Sequence, residues 1–405
     1  MKIKNIVARE ILDSKGNPTI EVDTILENGI MGRYSVPSGN TICSREAVEK
    51  RDYNNRYNSM GVMNVVNSIN NKLKYEIIGQ DSKNQRKIDK ILINIDGTRN
   101  KSNYGSNAIL GISLSVLNAQ ARSNGIPLYK YLGGSLIPRI MVNVISGGNF
   151  NGTNLSIKEF MIVPVAKTIK EQIRYSSEIF QALKKILKEK GYNTTVDDQG
   201  GFTPFIDKTS IALDLIIESI KKAGYKPGKD IYIALDCEAN KFYDGNNYNI
   251  DNLKLSTEKL IKYYKNLINN YPIISIEDPF SEYDTKGYIK FNYEVGREIQ
   301  IVGDDLFVTN KDILKKGVNK KIANSIIIKP NQVGTYTEML ETIQFAKKNN
   351  IKTIISHRSG ETEDTTIADL AVGLNLGQIK CGSMSRTDRI AKYNRLIRIE
   401  ENLGN

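Results

Sequence analysis

The sequence predicts an α/β protein: a small N-terminal α+β domain followed by a modified β/α barrel of the TIM type. Three observations predict it. The first is a series of short, Ile-rich runs that each stop on an ionisable residue. Ile231–Leu235 stops on Asp236, Ile273–Ile276 on Glu277, Ile299–Gly303 on Asp304, Ser325–Ile328 on Lys329, Thr353–Ser356 on His357, and Gly377–Ile379 on Lys380. Runs of this kind read as buried parallel strands. The second is their spacing: after one longer step, the stops recur roughly every 25 residues, which suits one strand plus one helix per unit. Amphipathic stretches such as Tyr336–Lys348 lie between them. The third is an N-terminal stretch that alternates apolar and polar residues as an antiparallel sheet does. A doubly wound open sheet shares the β/α rhythm. Either fold gathers the charged strand ends along one edge, where a barrel keeps its active site.

Taken in order, Lys4–Ile11 reads as a strand, Asp13–Pro18 as a turn, and Thr19–Leu26 as a second strand. Asn28-Gly29 marks a tight hairpin before a third strand that runs to Val36. Pro37-Ser38-Gly39 opens a polar loop. Helical patterns are expected from Glu46 to about Leu132, including the small-residue-rich stretch Ser106–Arg122. Gly133-Gly134 then breaks the chain, so the domains are expected at 1–135 and 136–405.

Composition narrows the function. A chain of 405 residues buries a large core, and two domains are the default. No run is long and apolar enough for a membrane span, and Met1–Val7 carries no apolar signal core. The three cysteines, Cys43, Cys237 and Cys381, make neither a disulfide framework nor a zinc spacing, so a reduced, cytoplasmic setting is expected. The formal net charge is +12, but Lys is spread along the whole chain beside abundant Asn, Ile and Tyr. That is a compositional bias rather than a nucleic-acid footprint, and no nucleic-acid partner is expected. His357 is the one histidine, so any imidazole chemistry must use it.

Several longer motifs resemble the enolase family, the glycolytic 2-phosphoglycerate dehydratases (phosphopyruvate hydratases). They are Ala8–Thr19, Ser106–Gly111, Glu159–Ile162, Ile276–Phe280, Gly303–Leu306, Ser356–Thr365 and Arg395–Gly404, in the expected order along nearly the whole chain. The resemblance implies an α+β N-terminal domain, a barrel with a ββαα start, a homodimer, and a small phosphorylated carboxylate as substrate.

Three carboxylates at neighbouring strand ends, Asp236, Glu277 and Asp304, are hard oxygen ligands suited to one or two Mg2+ ions. Lys329 would lie beside them, where nearby cations and poor hydration favour a general base. A lysine base paired with Mg2+ is an established pattern of the enolase superfamily. By resemblance, Lys329 removes the proton next to the substrate carboxylate. Arg358 and Ser359 clamp the phosphate, a task for which a guanidinium fork is well suited, although a plain ion pair is the alternative for Arg358. Lys380 meets the substrate carboxylate and His357 orients or handles protons. Glu159 and Gly39 belong to the substrate-binding set.

The departures from the family pattern matter as much. Where the family has Gly-Asp-Glu-Gly-Gly, this chain has Asp197-Asp198-Gln199-Gly200-Gly201. The glutamate replaced by Gln199 is the family's general acid, and an amide cannot supply that proton. Thr41 falls where a serine binds a second Mg2+, Cys43 replaces a hinge glycine, Phe150 replaces a histidine, and Lys158 replaces a glutamine. Asn240-Lys241 stands for a family Ser-Glu. The expectation is a protein that still binds Mg2+ and a phosphorylated carboxylate and enolises it, with loss of water slowed. Two other readings remain at this point. One is a divergent paralogue acting on a phosphono- or other phosphorylated carboxylate, welcomed by Lys158 and Lys241. The other is a non-catalytic binding protein on the same scaffold. Cys43 is the best candidate for a reactive thiol.

Overall fold

The computed structural model describes residues 1–39, 45–148 and 153–404. Three antiparallel strands open the chain: β1 (Ile3–Leu12), β2 (Pro18–Leu26) and β3 (Met31–Ser35), in the order β1-β2-β3. The helix Ser106–Ser123 packs across this sheet and is buried over nearly its whole length, as its run of small and apolar residues requires. The expected helical region begins later than the sequence pattern implies. Apart from a 3-10 turn at Arg56–Ser59, the first described helix starts at Met63. The cause is side-chain bonding. The buried Arg51 donates to the carbonyls of Pro18 (2.5 Å) and Met60 (2.9 Å) and pairs with Glu49, which pins an irregular backbone against the start of β2.

Eight further strands close into a barrel: β4 (Arg139–Ser146), β5 (Glu159–Pro164), β6 (Ile231–Asp236), then, past a small hairpin β7 (Tyr248–Ile250) and β8 (Leu253–Leu255), β9 (Ile273–Glu277), β10 (Gln300–Gly303), β11 (Ser325–Ile328), β12 (Lys352–Ser356) and β13 (Gly377–Lys380). Pairing of β13 with β4 closes the ring, which excludes the open sheet. β5 runs antiparallel to both neighbours and is followed by two helices, Ile169–Glu189 and Thr209–Lys222, before β6. From β9 to β13 the strands are parallel and alternate with single helices.

The lumen is filled by Met141, Met161, Val163, Ala234, Val302, Ile327 and Ile354. Burying one such large aliphatic side chain contributes about 1.5–3 kcal/mol. This plug makes the barrel a packed core rather than a pore, so polar chemistry is left to its mouth. The N-terminal domain docks on that mouth. Ser38 and Gly360 exchange two backbone hydrogen bonds (2.7 and 2.9 Å), and Ala47 N–H donates to the Gln332 carbonyl at 2.9 Å. Among the described residues, no helix is long and apolar enough to cross a membrane.

Candidate active site at the barrel mouth

Strand geometry brings the predicted charges together. Register pairs Asp236 with Glu277 across β6–β9, and Asp236 with Glu159 across β5–β6. Lys380, at the end of β13, reaches across the ring and donates to Asp236 (3.0 Å) and Glu277 (2.8 Å), with Glu159 at 3.4 Å. Lys329, just past β11, contacts Asp304, just past β10. Lys158 lies 3.7 Å from Asp236 and 3.5 Å from Glu238. Burial disfavours charge on both Asp236 and Glu277. Lys380 and Lys158 overcome this for Asp236 and hold it well below the usual carboxylate range. Glu277 is pushed up, by burial first and by the Asp236 charge second.

These groups surround a cavity of about 120 Å3. Its walls include Lys158, Glu159, Gln199, Asp236, Asp304, Lys329, His357, Arg358, Ser359 and Lys380. Glu277 does not line it. Glu277 is 1% exposed and lies behind Lys380. Lys241 is exposed and also absent from the wall, so the expectation that it would help receive a more anionic ligand is corrected. Of the two lysines, Lys158 is the one on the wall. Thr41, Cys43 and Phe150 lie outside the described residues. Cys237 and Cys381 are fully buried in the apolar core, which pushes both thiols up and leaves them inert.

Arg358 stands on the wall and is also ion-paired. Its Nη2 donates to Glu46 Oε2 at 3.1 Å, so the N-terminal domain supplies the carboxylate that aims it. Gln332 ties the same assembly together, donating to Glu46 Oε1 (3.1 Å) and Asp304 Oδ1 (3.0 Å). Gly39 leaves room for the guanidinium: a Cβ there would fall 2.1 Å from Arg358 Nη2 and push it aside. His357 is 4% exposed, and Arg389 Nη1 lies 2.5 Å from its Nδ1. A guanidinium can only donate, so Nδ1 accepts and Nε2 carries the hydrogen. Burial, reinforced by the Arg389 cation, holds the imidazole well below its usual range, so His357 is a neutral donor.

Sequence reasoning missed the groups that hold this wall in place. Asp278, at φ +41°, accepts the backbone N–H of Asp304 (3.0 Å) and Asp305 (2.7 Å) and the Tyr288 hydroxyl (3.1 Å). Glu46, Gln332 and Arg389 were equally silent, because their partners are distant in sequence and no periodicity marks them. Asp278 and Asp305 stood inside quoted motifs without a role.

The donor set fits a hard divalent cation. Oxygens of Asp278, Asp304 and Asp305 lie within 4.8 Å of one another. Both Asp278 oxygens already accept hydrogen bonds, so its part is to hold the Asp304–Asp305 turn. Glu277 Oε1 and Glu159 Oε2 are buried without a hydrogen-bond partner, lone pairs that a cation or its water would satisfy.

Fold and rim together define an α/β-barrel protein with a carboxylate- and lysine-lined mouth and an α+β domain docked over it. Residues 135–405 match the family model described as enolase, C-terminal TIM barrel domain, and residues 3–132 match the enolase N-terminal domain. The chain is 50% identical over 409 residues to the enolase of Ehrlichia ruminantium (strain Gardel), covering 100% of this chain and 97% of that protein. The chain belongs to the enolase family.

Proposed function

We propose that the protein is a Mg2+-dependent carbon–oxygen lyase of the enolase type, acting on 2-phosphoglycerate, in which removal of the C2 proton is intact and loss of water is the burdened step. The observation that carries this reading is the content of one cavity. Lys329, Asp304, Asp236, Lys380, Arg358 and His357 share it with an amide, Gln199, whose Oε1 is buried without a hydrogen-bond partner.

Asp236 and Asp304 on the cavity wall, with the unpartnered Glu277 Oε1 behind them, are the residues that would hold the metal, and Asp278 braces the turn. Bound Mg2+ supplies positive charge against a substrate carboxylate whose negative charge grows as the proton leaves. Lys329 takes that proton. Lys380 meets the substrate carboxylate, and Arg358 with Ser359 meets the phosphate. His357 donates from Nε2 and does not accept a proton. Gln199 can orient the leaving hydroxyl but cannot protonate it. Removing a general acid typically costs ~10²–10⁴-fold. By the same family reading the protein works as a cytoplasmic homodimer.

The test is 2-phosphoglycerate with Mg2+ in D2O, followed by proton NMR. Deuterium is expected at C2. Absence of exchange in the presence of Mg2+ would overturn the reading. A second reading is favoured by Lys158, an added cation against Asp236 and Glu238: the natural substrate carries more negative charge than 2-phosphoglycerate. A panel of phosphorylated and phosphono-carboxylates would show it as higher kcat/KM for the more anionic member.

A further inference from the structure

The carboxyl lost at position 199 has a neighbour. Asp197 stands two residues away on the same loop and lines the same cavity as Lys329, His357 and Lys380. The loop is tied to the barrel at two points. Ser146 N–H, at the end of β4, donates to the Phe202 carbonyl at 2.8 Å, and Ser383 N–H donates to the Gln199 carbonyl at 2.9 Å. Gly200, at φ +89°, lies so close to Ser385 that a Cβ there would fall 2.5 Å from its hydroxyl. Inside this turn, Asp197 Oδ1 accepts the backbone N–H groups of Gln199 (3.0 Å) and Gly201 (3.0 Å). Those bonds fix the carboxyl against the cavity instead of letting it swing to solvent.

We propose that Asp197 is the proton donor for the departing hydroxyl, replacing from the turn only part of what residue 199 no longer supplies, so that loss of water stays the slower step. This rests on the lyase reading above. The balance is complete. Lys329 accepts the C2 proton. The electron pair left on C2 forms the C2–C3 double bond as the C3–O bond breaks. The Asp197 carboxyl passes its proton to the leaving oxygen, which departs as water. Asp197 ends as a carboxylate and recovers a proton from solvent, while Lys329 releases its own.

The surroundings suit a donor near neutral pH. Burial, with the Glu159 charge on β5 adding to it, raises Asp197 to about 6, although Ser146 and the two backbone donors pull the other way. The charged groups facing the turn are Glu159 from β5, Asp198 beside it, and Arg386 and Arg389 from the segment after β13. Those arginines donate to the carbonyls of Asp197 (3.2 Å) and Asp198 (3.2 Å), not to the Asp197 carboxyl. Lys15 of the N-terminal domain faces Asp198. An acid of this strength is matched to its working pH.

A purely structural reading of Asp197 makes it a cap for the turn. Asp197→Asn keeps a carbonyl oxygen for both backbone N–H groups and removes only the proton. The experiment measures C2 deuterium exchange and phosphoenolpyruvate formation from 2-phosphoglycerate with Mg2+, in the full-length wild type, Asp197→Asn, and Asp197→Asn combined with Gln199→Glu. Expected is at least a ten-fold loss of elimination in Asp197→Asn, with exchange within about two-fold of wild type and recovery on adding Gln199→Glu. In the wild type, elimination per exchange event should fall as pH rises through about 6, because the protonated form is consumed. Elimination unchanged in Asp197→Asn, or lost without recovery in the double variant, would overturn the assignment. No exchange in any variant would instead sink the lyase reading itself.

Discussion

The two sectors of the barrel rim differ in kind. From β9 to β13, each parallel strand delivers one ionisable residue at its end: Glu277, Asp304, Lys329, His357 and Lys380. From β4 to β6, β5 runs antiparallel to both neighbours; its first residue, Glu159, joins Lys158, Asp197 and Gln199 from the connecting loops. The residues expected from the sequence to depart from the family pattern, Thr41, Cys43, Phe150, Lys158, Gln199 and Asn240-Lys241, fall in the stretch from β4 to β6, just past β6, or in the N-terminal domain. The regular sector holds the proposed base, Lys329, and two of the three proposed metal carboxylates, Glu277 and Asp304; the third, Asp236, ends β6 next to it. The irregular one holds the groups proposed to release water. On the proposed roles, the base and the proton donor for the leaving group are anchored by different backbone, so one could change while the other is kept.

The largest expected effect breaks this comparison if it fails. Lys329→Met should lower C2 exchange by ~10²–10⁴-fold, measured by NMR in D2O. Exchange that survives would show that Lys329 is not the base. Next comes Asp278→Ala, which removes the acceptor for the Asp304 and Asp305 N–H groups without touching the cavity's ligands. Mn2+ affinity, measured by isothermal titration, should weaken ~10–100-fold, the usual cost of losing a ligand's support. Unchanged affinity would mean the turn holds itself.

The smallest effect sharpens the irregular side. Asp197 has its folded pKa raised to about 6, above the ordinary carboxylate value of about 3.9. Its contribution to stability is therefore full below about pH 4 and is lost as pH rises through about 6. Asp197→Asn should be more stable than wild type at pH 8, on the order of 1 kcal/mol after allowing for partial exposure, with no gain at pH 4. Thermal unfolding at the two pH values checks it, and an equal shift at both would remove the electrostatic cause.

Legibility in the sequence follows the same division. Asp236, Glu277, Asp304, Lys329, His357 and Lys380 could be read because a buried strand announces itself by its apolar run and its last residue must face the mouth. The three N-terminal strands were legible through alternation and turn chemistry. The stretch Glu46–Gly61 was not. It falls in the region expected to be helical, but the buried Arg51 bonds the Pro18 carbonyl far away in sequence and pairs with the buried Glu49. Glu46 aiming Arg358, Gln332 bridging to Asp304, and Arg389 setting the His357 tautomer all depend on contacts between distant segments. Asp197 was visible only as a difference from a pattern, and its environment gives it meaning.

The most direct test of the divided rim follows exchange and elimination in one sample: 2-phosphoglycerate and Mg2+ in D2O, with NMR at C2 and ultraviolet absorbance for phosphoenolpyruvate. The account predicts that deuterium enters C2 faster than phosphoenolpyruvate appears, and that both signals require Lys329. Phosphoenolpyruvate forming as fast as C2 exchanges would contradict it, because the step assigned to the altered sector would then carry no burden.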